Sequence, residues 1–493
     1  MDLASFNTPA TNIDPTRPFD SPLCSPIPDR TKQPLTIGSR NLTDDSARSL
    51  TLMQVLRCID ANVSTSALRG TDTDMSTSSS SWLRLFRRLS GGGTVRVLVL
   101  GGSMTAGISC SKNATLTLTA CSWSGRFVDW LDSEFPQAKI VYENRARGGT
   151  QTEVALGGIA ALLTSDEAVN WDIVFTDFFV NDVRAPGIVK KGLQVHGGSS
   201  ADRLSILNEK LILTIKALAP TALHVNIISS CPDCVSNLHL ARAVSLTYSF
   251  HGVSLINLAA PCFGPLKKIL LCNWGAITHP TAAVHQEFAN AVASHFKRRL
   301  TFLQCLTSRT QEPFGRYHAQ GVKGSFWGTG VLAKVHVCLR PLITFDAYSL
   351  WKNKNTSLTW KSSWNLTEDR PGKPGWITSQ NGAVLPFNLT FGSLPMMSIT
   401  YLRSYEGLGD AEIRLNGHTW VLNGVWEDPG RNRISVSQTV VFHASQVSQK
   451  QHELFGRGIV GFGVKPHSSL PVEFVFRSQK KHSKFKIISV SAC

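Results

Sequence analysis

The chain has 493 residues, 42% of them hydrophobic and 17% charged, enough for two or three globular domains with ample core. A net charge of +16 points to acidic partners such as an acidic polysaccharide or an anionic membrane. No aromatic-and-basic RNA signature and no zinc-finger spacing accompanies the basic run at 477–484, so nucleic acid is not an expected partner. No run approaches the roughly 18 apolar residues of a membrane span, so no transmembrane segment is expected.

Residues 1–92 read as a polar, partly flexible leader, dotted with Pro, Ser, Thr and Asp, with a short amphipathic helix over 82–89. No apolar h-region follows Met1, so no signal peptide is visible and a cytoplasmic protein stands as the alternative. Asn-x-Ser/Thr acceptors at Asn41, Asn62, Asn113, Asn355, Asn365 and Asn388, with 11 cysteines, favour the secretory pathway or the extracellular space. Cys110 and Cys121, flanking a short polar loop, are the expected bridge.

From 93 to 310 the pattern alternates. Strand-like runs at 95–100, 139–142, 172–176, 223–228 and 253–258 are separated by helical patterns at 123–135, 153–163, 204–218, 238–248 and 282–300. Short apolar strands alternating with helices predict a five-stranded parallel sheet in an α/β three-layer sandwich. After 326 strands follow strands: 331–337, 384–390, 397–402, 411–416, 433–442, 459–464, 472–477 and 485–490. Turns such as Asn416-Gly417, Asn423-Gly424 and Asp428-Pro429-Gly430 lie between several of them. An all-β sandwich or jelly roll is expected over 326–493.

Four segments fall after strands of the α/β region. The first strand breaks into Gly101-Gly102-Ser103-Met104-Thr105-Ala106-Gly107, the second runs into Asn144-Arg145-Ala146-Arg147-Gly148-Gly149-Thr150, the third into Asp177-Phe178-Phe179-Val180-Asn181-Asp182, and the fifth precedes Trp274-Gly275-Ala276-Ile277-Thr278-His279-Pro280. Ligands bind at this edge of open α/β sheets. A serine hydroxyl becomes a nucleophile only when a base takes its proton, which His279 can do for Ser103. The tetrahedral oxyanion then needs preorganised donors: the backbone N–H groups of Ser103 and Gly149, and the Asn181 amide.

These blocks, in this order, resemble the SGNH-hydrolase (GDSL-type esterase and lipase) superfamily over residues 95–300. The β-rich tail resembles that of some algal and plant members through Lys373-Pro374-Gly375-Trp376-Ile377 and Tyr401-Leu402-Arg403-Ser404-Tyr405-Glu406. The resemblance implies a serine esterase acting on acyl esters, such as those of an acetylated polysaccharide or a lipid, without a cofactor. It departs from the family at three places. Gly102 stands where the family usually has aspartate, Phe179 where it often has glycine, and Ala276 where the acid that steadies the histidine normally lies. A Ser-His dyad steadied by a backbone carbonyl, recruitment of another acid, or an impaired site each remains open. Asp172 and Asp177 are acid candidates in principle. The rivals are a carbohydrate-binding or cell-surface protein with an inactive hydrolase domain, and a polysaccharide O-acyltransferase.

Elsewhere the bland readings prevail. His285 and the tryptophans Trp351, Trp360, Trp364 and Trp376 are expected to pack, although those tryptophans could stack on sugar. Asp182 is expected to fix its loop, Cys231-Pro232-Asp233-Cys234 to be structural, and no metal-site spacing is present.

Overall fold

The computed structural model describes residues 75–110, 118–164, 170–184, 200–229, 237–259, 272, 279–309, 342–352, 363–370, 373–393, 395–425, 435–443, 459–461, 463–478 and 483–493. The first helix, α1 (Met75–Ser90), begins earlier than the sequence pattern predicts and buries Trp82, Leu85 and Leu89 in the core of the following domain. Its Arg88 reaches Asp172 at 2.7 Å.

Five strands form the parallel sheet: β1 (Thr94–Gly101), β2 (Lys139–Asn144), β3 (Ile173–Asp177), β4 (Leu223–Ile228) and β5 (Ser254–Asn257). Their order is β2-β1-β3-β4-β5, with the first strand inside the sheet. β-Branched and leucine residues at successive positions of β1 explain burial on both faces. Val95, Val97 and Val99 point to one core and Leu98 and Leu100 to the other.

The helices of this region are α2 (Leu118–Cys121), α3 (Trp123–Glu134), α4 (Thr152–Thr164), α5 (Phe179–Arg184), α6 (Ser200–Leu218), α7 (Leu238–Phe250) and α8 (Ala282–Arg309). Phe127 of α3 and Phe288 and Phe296 of α8 pack with α1 against the valine face. Ala155, Ile159 and Leu163 of α4 and Leu211 and Ile215 of α6 cover the leucine face. This is the expected three-layer α/β domain.

The second region opens with β6 (Ile343–Asp346) and α9 (Ala347–Lys352), followed by β7 (Asn365–Glu368), β8 (Pro374–Thr378), β9 (Val384–Thr390), β10 (Met396–Arg403), β11 (Asp410–Leu415) and β12 (His418–Asn423). It closes with β13 (Val436–His443), β14 (Ile459–Gly461), β15 (Ser469–Arg477) and β16 (Phe485–Ala492). A seven-stranded sheet has the order β14-β13-β10-β16-β8-β7, with β6 also on β16, and a four-stranded sheet runs β12-β11-β15-β9. Strict alternation in β9 turns Leu385, Phe387 and Leu389 inward, where Phe387 meets Trp376 of the other sheet at 5.1 Å between ring centroids. The two sheets share one apolar core, as a sandwich does. Trp364 and Trp376 are in that core, so they offer no sugar platform. The strand expected at 331–337 and Trp360 lie outside the described residues.

The two regions meet at α4. This helix is apolar on nearly every side, and its outer face is covered by the larger β-sheet. Gly157 makes the fit possible, because a Cβ there would stand 2.6 Å from Thr400 Oγ1.

Candidate active site

The turn after β1 is held by its neighbours in the parallel sheet. Gly102 N donates to Asp177 O at 3.2 Å, and Ala106 N and Ile108 N close back on the carbonyls of Gly102 and Ser103 at 3.0 and 3.1 Å. Thr105 Oγ1 donates to Asp177 Oδ2 at 2.6 Å, while Ser229 Oγ donates to Asp177 Oδ1. Burial raises the pKa of Asp177, and these two hydroxyls oppose the shift. Asp177 is thereby a strut under the serine turn. Asp172 sits at the opposite end of β3, accepting from Arg88 and from Arg96 N, far along the strand from this edge.

Downstream of the turn, Cys110 and Cys121 form the expected disulfide, with Cα atoms 5.8 Å apart, tying it to the start of α3. Cys272 and Cys493 each take part in a further disulfide.

Asn144 ends β2 and braces both first turns: its amide donates to Thr105 O at 2.9 Å, and its carbonyl oxygen accepts from Ala146 N at 2.9 Å. Arg147 N then pairs with Gly101 O at 2.9 Å, which lays this second turn against the end of β1. Gly149 has φ +79°, a left-handed conformation that glycine adopts without strain.

After β3, Asn181 Nδ2 donates to Thr150 O at 2.6 Å. The same amide lies directly over Gly102, where any Cβ would collide with it. That contact explains why glycine, and not a residue with a side chain, precedes Ser103 here. Among the described residues the second hydrogen of the amide has no acceptor. Asp182 caps the start of α4, accepting from Thr152 N at 2.8 Å and Thr152 Oγ1 at 2.7 Å. Burial, partly countered by those two bonds, pushes its pKa up to about 7.

His279 is half-buried just ahead of α8. Two turns behind it, buried His285 accepts from Trp123 N at 3.2 Å, and burial, then the charges of Arg126 and His279, lower its pKa to about 3. It is a neutral packing histidine. Two turns and the helix α5 therefore bring Ser103, Gly149 and Asn181 to one end of the sheet. Among the described residues Ser103 Oγ has no hydrogen-bond partner, His279 included. Ala276 and the Cys231-Pro232-Asp233-Cys234 segment lie outside the described residues.

One group escaped the sequence reading. The Arg147 guanidinium grips Asp346 of β6 with Nη1 and Nη2 at 3.1 and 3.0 Å, across 199 residues of chain, and lies 4.4 Å over the Tyr348 ring. Asp346 also accepts from Ser349 N and Oγ at 3.0 and 2.9 Å. Burial alone would raise its pKa, but the Arg147 charge and these bonds prevail and hold it below the usual carboxylate range. The contribution of such a carboxylate to stability is present above its unfolded pKa and is lost as pH falls through the folded one.

Comparison with solved structures gives a two-domain esterase active on acetylated mannans, at TM-score 0.53 and 15% identity, with 84% of this chain and 95% of that one covered. The chain has the fold of a two-domain esterase. An acetylxylan esterase from Geobacillus stearothermophilus matches at TM-score 0.32 and 17% identity, over 42% of this chain and 94% of that one. No protein-family model matches the chain, and no curated protein matches it by sequence.

Proposed function

We propose that the protein is a serine esterase of the SGNH type that removes acyl groups, acetyl above all, from a polysaccharide. The observation that carries this reading is the Asn181 amide of α5 seated over Gly102 and bonded to Thr150 O, which joins the two turns and the helix that would supply nucleophile and oxyanion donors.

In the mechanism, Ser103 Oγ attacks the ester carbonyl carbon as His279 accepts its proton. The carbonyl oxygen becomes an oxyanion and accepts from Ser103 N, Gly149 N and Asn181 Nδ2. Collapse breaks the acyl C–O bond. His279 returns the proton to the departing sugar hydroxyl, leaving an acyl-Ser103 ester. Water, deprotonated by His279, then attacks that ester, and its proton goes back to Ser103 as the carboxylic acid leaves. Catalytic hydrogen bonds often tighten only when substrate is bound, so the open Ser103–His279 geometry is compatible with this sequence. With alanine at 276, the imidazole works as half of a dyad. The disulfides and sequons support an oxidising compartment and a secreted enzyme.

The test is turnover of 4-nitrophenyl acetate by the wild-type chain and by Ser103→Ala. A loss of at least about a thousandfold is expected. A reactive organophosphonate should label Ser103 in the wild type. Equal rates and no labelling would instead favour the binding-only protein, the reading that Ala276 supports.

A further inference from the structure

A cavity of about 270 Å³ opens beside the second turn, enclosed by both domains. One side is formed by the turn from Arg145 to Thr150 and by α4, the other by β10, β16 and the segment 404–408. Its lining does not include Ser103, Asn181 or His279, so it is a separate space sharing a wall with the candidate oxyanion turn.

The charge of this lining is unbalanced. Six cationic side chains and three carboxylates line it, and one of the cations, Arg145, is already paired with Glu143 at 2.7 Å. Of the carboxylates, Asp346 is engaged by Arg147, and Asp369 is divided between Lys484 at 2.8 Å and Lys486 at 2.5 Å. The third, Glu406, is exposed. Lys486 is buried, and its ammonium also donates to Lys373 O at 2.6 Å. Lys373 is the odd group. Its ammonium makes no ion pair or hydrogen bond with any described residue, yet it is half-buried against the second turn, 3.0 Å from where a Cβ on Gly148 would stand. Burial, then the charges of Arg370 and Lys486, lower its pKa, and the weaker attraction of Asp369, already shared by Lys484 and Lys486, only partly opposes them. A partly desolvated cation beside other cations is unfavourable until an anion joins it.

The rest of the lining suits a sugar. Hydroxyls of Ser404, Ser435, Ser437 and Ser489 stand beside apolar Leu402 and Ile488. A concave space of this size admits one ring carrying a charged group and excludes a flat membrane surface. The net charge of +16 would draw a polyanion toward it.

We propose that this interdomain cavity binds the anionic group of an acidic sugar residue, a carboxylate or a sulfate, with Lys373 as its main contact, so that the polysaccharide handled by this protein is acidic. The anion site stands on the cavity alone. That the sugar next to it carries the acyl ester rests on the esterase reading above. A ring lodged there lies one turn away from the Gly149 N–H, which would present an ester on a neighbouring sugar to Ser103.

Binding to full-length Ser103→Ala by calorimetry at about 0.1 M salt tests the site without needing catalysis. The probes are an unacetylated tetragalacturonate, a sulfated tetrasaccharide, mannotetraose and inorganic sulfate. At least one acidic oligosaccharide should bind about tenfold or more tightly than mannotetraose. Lys373→Gln should weaken that binding by a similar factor, as expected on losing a hydrogen bond to a charged group, and Lys373→Arg should retain most of it. Preference for the sulfated over the uronate oligomer, or the reverse, identifies which anion is read. Equal binding of the neutral oligomer, no effect of Lys373→Gln in a variant of unchanged melting temperature, or inorganic sulfate binding as tightly as either acidic oligomer would overturn the proposal. Because none of these arms uses turnover, failure here is distinct from failure of Ser103→Ala to abolish esterase activity.

Discussion

The two turns that carry the candidate site are held in different ways. The serine turn is fixed from within its own sheet, by Asp177, Ser229 and the carbonyls of its own residues. The glycine turn is bonded to the α/β domain through Arg147 N, Ala146 N and Thr150 O, and is also held from outside, because Arg147 is anchored to Asp346 and Lys373 lies on Gly148, both from the β-sandwich region. The position of Ser103 is thus set within the α/β domain, while the turn that carries Gly149 is braced by both domains. The sandwich is part of the site's architecture and does more than cover one side of it.

Breaking the external anchor should give the largest effect on stability. Arg147→Ala leaves Asp346 buried with Ser349 as its one remaining partner among the described residues, a change expected to cost about 3–5 kcal/mol. Chemical denaturation checks it, and adding Asp346→Ala to the same chain should recover part of the loss. If the glycine turn is held independently of the sandwich, Arg147→Ala will leave the kcat of the folded protein unchanged. Under the proposed function, kcat should fall with little change in KM.

Asn181→Ala removes the group that joins the two turns. It should lower kcat by about a hundredfold to a thousandfold, the usual consequence of losing one oxyanion donor. Smaller again is Gly102→Ala, whose methyl must push the Asn181 amide aside. An overpacking cost of about 1–3 kcal/mol is expected, and a second replacement, Asn181→Ala in the same chain, should relieve it. A double-mutant cycle measures that relief.

The finest distinction is in pH. Asp182 has its pKa raised to about 7, so between the ordinary carboxylate range and pH 7 the folded state holds a proton that the unfolded chain has released. Its contribution to stability therefore falls as pH rises across that window and levels off above it. Asp182→Asn should flatten this slope in denaturation midpoints taken from pH 4 to 8. An unchanged slope would show that Asp182 ionises normally.

How far the sequence revealed all this follows the range of the interactions. The five parallel strands and the glycine-bounded turns were legible because each is coded by adjacent residues, apolar runs broken by Gly101-Gly102 or by Gly148-Gly149. The strand β12 was not, since most of its residues are exposed and no alternation marks it between the turns Asn416-Gly417 and Asn423-Gly424. Arg147 stood in plain view within its motif, but its partner lies 199 residues away, beyond any local pattern. Lys373 was legible only as the first residue of the block Lys373-Pro374-Gly375-Trp376-Ile377, with no role of its own. Only the approach of the two domains makes it a cation beside a cavity with no ion-pair partner among the described residues.

The buried helix α4 has one more consequence, for how such a chain can be divided. With Gly157 and its neighbours wedged under the sandwich, the front half has no water-ready surface along this helix. Cut after residue 310, it would present a broad greasy stripe and self-associate. A tail exchanged by gene fusion would therefore need a groove shaped for the same helix.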